Sequence, residues 1–97
     1  MEKVLEEFIL LINKALEVAM KKQQDLKDSN ANIEVQDFMS LIIKNLAKIK
    51  DNTLSGKLRR PSDGASLGLS YHIGEWFQGE ELNDLARQID RYYKEKM

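Results

Sequence analysis

Residues 4–26 read VLEEFILLINKALEVAMKKQQDL, and the spacing of their apolar positions decides the fold class. Leu5, Phe8, Ile12, Ala15 and Ala19 recur at intervals of three and four, the period that brings side chains onto one face of an α-helix. No glycine or proline interrupts them, so the stretch predicts a long helix over about residues 2–27. Set out at about 100° per residue, Val4, Leu5, Phe8, Ile9, Leu11, Ile12, Leu16, Val18 and Met20 spread over an arc of roughly 200°, wider than the stripe of a helix with a single neighbour. Such a helix is expected either to sit at the centre of a bundle or to offer a surface for self-association.

Working outward, Asp28-Ser29-Asn30-Ala31-Asn32 gathers turn and cap residues, and the Asn32 side chain suits the free amides that open a second helix. Over about residues 33–55 the positions Val35, Met39, Ile42, Leu46 and Ile49 alternate spacings of four and three, with Lys44, Lys48 and Asp51 on the other side. Gly56 supplies the left-handed conformation that ends such a helix. The two helices predict a hairpin with a short connection.

The character then changes. Residues 56–66, Gly-Lys-Leu-Arg-Arg-Pro-Ser-Asp-Gly-Ala-Ser, hold the only proline and three cationic side chains within four positions, and predict a basic loop. Pro61 pushes Arg60 away from helical angles, and Ser62 or Ser66 is placed to cap a third helix. Residues 66–77 are ambiguous: Leu67, Leu69, Tyr71 and Ile73 alternate like a strand, while Leu69, Ile73, Trp76 and Phe77 recur like a helix. A lone strand has no partner to pair with here, so a short helix is the better reading, although Gly68 and Gly74 each cost about 1 kcal/mol inside one unless a close approach requires them. Over about residues 80–96, Leu82, Leu85, Ala86, Ile89, Tyr92 and Tyr93 form a final helical stripe, with acids at its start and Lys94 and Lys96 at its end. The expected architecture is one all-α domain over residues 1–97, a small bundle built from a long helical hairpin and two shorter C-terminal helices.

Composition narrows the function classes. The chain has 97 residues and no cysteine, which removes disulfides, thiolate metal sites and a cysteine nucleophile and suits a reducing, cytoplasmic setting. Glu2, Glu6 and Glu7 stand where an export signal has basic residues, and Asn13, Lys14 and Glu17 interrupt the apolar run, so no membrane association is expected. Fifteen Lys and Arg against sixteen Asp and Glu provide no global attraction for nucleic acid, so any anion site is local.

The candidate chemistry is sparse. His72 is the single histidine, and with Glu75 three residues on it defines neither a metal site nor a catalytic set; its ordinary role is that of a partly buried histidine bonded to a neighbour. No enzyme activity, metal or cofactor is implied. Lys57, Arg59 and Arg60 concentrate charge beside glycines and hydroxyls that can hold an anion, but the spacing matches no phosphate-binding loop, and pairing with Asp63 or neighbouring acids competes with that reading. Arg59 and Arg60 also precede Ser62 in the manner of a basophilic kinase site. Trp76, Phe77 and Tyr71 lie just after the basic loop and have the composition of an interface, against the competing role of core packing.

In general shape a small helical bundle with a polar surface resembles the bacteriocin immunity proteins and small adaptor or chaperone subunits, a likeness of architecture that implies binding rather than catalysis. The expected function is a non-enzymatic protein–protein interaction module, an adaptor, immunity-like or regulatory subunit that binds a protein partner or itself as a homodimer. Lys57, Arg59, Arg60, Ser62, Tyr71, His72 and Trp76 are its candidate binding residues. The alternative is binding of a phosphate-bearing ligand or RNA through the basic residues 57–60.

Overall fold

The computed structural model describes residues 3–59, 67–77 and 79–97, with the backbone alone of residues 75 and 76. Helices α1 (Lys3–Asp28), α2 (Ile33–Leu54), α3 (Leu69–Phe77) and α4 (Glu81–Lys96) form a small all-α bundle. The 26 residues of α1 extend about 39 Å at 1.5 Å per residue, which accounts for the 41 Å long axis of the molecule. The broad apolar arc of α1 has its explanation in the packing: α1 lies between α2 and α4, and α3 rests on α4. Phe8, Ile12, Ala15 and Ala19 are buried in the middle of the core, whereas Met20, at one edge of the arc, and Leu10, on the opposite face of the helix, remain exposed.

Both ends of the hairpin turn are set by local chemistry. Asn30 takes a left-handed φ of 54°. The Ala31 amide then donates to the Leu26 carbonyl at 2.9 Å and the Asn30 amide to the Lys27 carbonyl at 3.2 Å, satisfying two carbonyls at the end of α1. Asn32 caps α2 as expected, its side-chain oxygen accepting from the Glu34 amide at 2.8 Å. The other end of α2 closes the same way: Gly56 has φ +74°, and the Lys57 amide donates to the Asn52 carbonyl at 2.8 Å. This closure sets the direction in which residues 57–59 leave the helix.

Residues 69–77 are helical, which resolves the strand-like alternation, but α3 starts at Leu69 rather than near residue 66. Gly68 is the reason: its φ of +64° lies outside the helix, so it carries no helical cost. The expected caps Ser62 and Ser66 lie outside the described residues. The first amides of α3 are instead satisfied by a distant residue, Asp90 on α4. Its carboxylate accepts from the Leu69 amide at 3.2 Å, the Ser70 amide at 2.8 Å and the Ser70 hydroxyl at 2.7 Å. Gly74 is the close approach: a Cβ there would stand 3.4 Å from the buried Asn83 side-chain oxygen on α4.

At one end of the bundle Phe77 stacks on Phe38 with ring centroids 6.2 Å apart, and the Lys22 ammonium lies 5.5 Å above the Phe77 ring while pairing with Glu80 at 2.9 Å. At the other end the Tyr92 hydroxyl donates to the Val4 carbonyl at 3.1 Å and to Glu7 at 2.9 Å. Desolvation of the phenol, then its hydrogen bond to Glu7 and the charge of that carboxylate, raise the Tyr92 pKa above the ordinary 10.0. A raised folded-state value favours the neutral phenol, so its contribution to stability is fully present below about pH 10 and is lost as the pH rises through the raised value. An alkaline titration followed by ultraviolet absorbance is expected to show the Tyr92 phenol ionising above the ordinary 10.0, and Tyr92→Phe to remove that step; a variant whose titration curve above that value is unchanged would overturn the assignment.

Candidate functional site: a cleft between α2 and α3

The stripe of α2 that meets α1 is flanked by a second stripe with the same helical spacing. Phe38, Leu41, Ile42, Asn45, Lys48, Ile49 and Asn52 line one wall of a cleft with a volume of about 870 Å³. Across it, α3 contributes Leu69, His72 and Ile73, again at intervals of three and one, and Tyr93 of α4 closes the base. Lys57, Leu58 and Arg59 form the end of the cleft beyond α2. Their course is held from both sides, because the Schellman closure of α2 orients residue 57 and the Tyr93 hydroxyl donates to the Arg59 carbonyl. The cavity lies in the range of ligand-sized clefts, roughly 300–1,000 Å³.

The electrostatics of this surface are one-sided. Lys48, Lys57 and Arg59 are exposed at the cleft, and no carboxylate is among its described lining residues, although the chain carries sixteen Asp and Glu. The described lining also holds no serine, threonine or cysteine, so it supplies a single imidazole and no hydroxyl or thiol nucleophile of the serine-protease kind. Among the described residues no group of three or more His, Cys, Asp or Glu is placed to hold a metal ion, and no helix is long and apolar enough to cross a membrane.

The structure thus brings three of the sequence candidates, Lys57, Arg59 and His72, into one cleft from two separate segments. His72 is exposed rather than partly buried, because it lies on the face of α3 turned from α4; Tyr71 stands beside it, edge-on with ring centroids 5.5 Å apart, outside the lining. Phe77 is core, 5% exposed. Arg60, Ser62 and the Trp76 side chain lie outside the described residues, and so does any pairing of the basic loop with Asp63. Sequence reasoning passes over Asn45, Lys48 and Asn52 as ordinary surface. The available signal is Leu41, a large apolar residue one position outside the core stripe, which is 51% exposed.

A second, smaller groove of about 480 Å³ runs between α1 and α4 beside Leu10, Leu11 and Tyr92. There Glu7 and Glu95 are interspersed with Lys14, Arg91 and Lys96, so charge of both signs lines it.

No family model, curated protein or solved structure matches this chain. The α2/α3 cleft is therefore read from its own chemistry.

Proposed function

We propose that this chain is a non-enzymatic protein-interaction module that receives its partner in the α2/α3 cleft. The observation that carries this reading is the lining itself, an apolar floor with cations at its edge and no carboxylate among the described residues. Burying an exposed leucine-sized side chain contributes roughly 1.5–3 kcal/mol, against about 0–1 kcal/mol for an exposed ion pair. Affinity at this surface thus comes chiefly from apolar side chains, which proteins supply and nucleic acid backbones do not, while the cations select among partners. The lack of cysteine supports a cytoplasmic setting.

Retention from native lysate on the intact chain and on Leu41→Glu tests this, with circular dichroism showing equal helicity. A protein bound by the intact chain and lost with Leu41→Glu is the expected result. Retention indifferent to Leu41 means that the partner sits elsewhere. The second reading, a phosphate-bearing ligand or RNA, is favoured by Lys48, Lys57 and Arg59 alone; recovery of only RNA, released steeply by salt, would put it first.

A further inference from the structure

We infer that the occupant of the cleft is an amphipathic helix of about four turns, carrying carboxylates at the end that lies beside Lys57 and Arg59. This rests on the reading of the cleft as a protein-binding surface, and three observations carry it further.

The first is length. The α2 wall runs from Phe38 to Asn52, fourteen residue steps or about 21 Å at 1.5 Å per residue, which matches a helix of about 15 residues. The second is the form of the walls. Both are helices whose lining positions recur at helical spacing, so the groove between them accepts the ridges of a third helix. The third is polarity along the groove. Phe38, Leu41 and Ile42, at the N-terminal half of the α2 wall, are all apolar, whereas Lys48, Lys57 and Arg59 all lie towards and beyond its C-terminal half. Phe77, at the end of α3, stacks on Phe38, while the start of α3 is held by Asp90, one turn before Tyr93 with its hydrogen bond to the Arg59 carbonyl, so His72, nearer that start, lies towards the cationic end as well. Among its described residues the cleft is therefore directional, apolar at one end and positive at the other. A helix with apolar residues at i, i+3, i+4 and i+7 and Asp or Glu at one terminus complements both features.

The probe is a displayed library of random 16-residue peptides selected on the intact protein, with selected sequences then measured against Leu41→Glu and against the Lys57→Glu/Arg59→Glu double variant. All three substituted side chains are exposed, so both variants retain the fold. The expected binders show the helical apolar period with acids at one end, gain helicity on binding, lose binding with Leu41→Glu and weaken about tenfold or more with the double charge reversal. Binders that need Leu41 but show no acidic end, or no helical period, or no response to charge reversal overturn the inference and leave the cleft reading in place. Binders indifferent to Leu41, or a library that yields none, overturn both.

Discussion

Phe8→Ala is expected to lower the unfolding free energy by about 3–5 kcal/mol. The side chain is completely buried on the central helix, with its ring 6.1 Å from that of Tyr92 and 6.3 Å from that of Tyr93. Truncation forfeits the transfer energy of a phenyl group and leaves a cavity where α1 meets the C-terminal half of α4. The walls cannot readily close on it, because Tyr92 is held by the Val4 carbonyl and Glu7 and Tyr93 by the Arg59 carbonyl. In a domain whose whole stability is of order 5–15 kcal/mol, the loss brings the chain near the threshold of folding, with a melting temperature lower by roughly 15–30 °C. Urea denaturation followed by circular dichroism measures it. A loss below about 1 kcal/mol would mean that α1 and α4 do not pack as described.

The second large effect falls on a single carboxylate. Asp90→Ala removes the acceptor for two opening amides of α3 and for the Ser70 hydroxyl, in a part-buried setting where water replaces it incompletely. Capping substitutions cost about 0.5–2 kcal/mol, and hydrogen bonds to charged groups about 1.5–3 kcal/mol, so a loss of about 2 kcal/mol is expected. Its distribution identifies the cause. Amide hydrogen exchange should accelerate most over residues 69–77, with α1 and α2 less affected, since α3 is the shortest of the described helices and leans chiefly on α4. Asp90→Asn, which keeps one acceptor oxygen, should recover part of the loss. A uniform acceleration along the chain would show that Asp90 acts through global stability and not as the cap of α3. Because Leu69, His72 and Ile73 form one wall of the cleft, the same substitution should weaken binding of the partner proposed for it without altering any lining residue.

The legible parts of this protein are those whose causes lie within one or two helical turns. The three-and-four spacing of Phe8, Ile12, Ala15 and Ala19 buries those residues in the structure, and the Asn32 cap and the left-handed Gly56 stand where their side chains, or the lack of one, require. Residues 66–77 are harder because the informative contacts are distant. The start of α3 depends on Asp90 and the tolerance of Gly74 on Asn83, and neither partner is visible in a window around the helix. The candidate site divides along the same line. Lys57 and Arg59 stand out as a local concentration of charge, while Lys48, Asn45 and Leu41 acquire meaning only because α3 faces them.

The four helices of the described residues, their stripes and most of their ends can be read from the chain alone, because periodicity and capping are decided by neighbours within about four residues. Three features come only from the packing: α1 is central, a carboxylate of α4 caps α3, and cations from α2 and the segment after it border an apolar floor shared with α3. They depend on pairs 20 to 88 residues apart, such as Asp90 with Ser70, Tyr93 with Arg59 and Tyr92 with Val4, whose meeting is set by how the helices pack and not by any local preference of the chain.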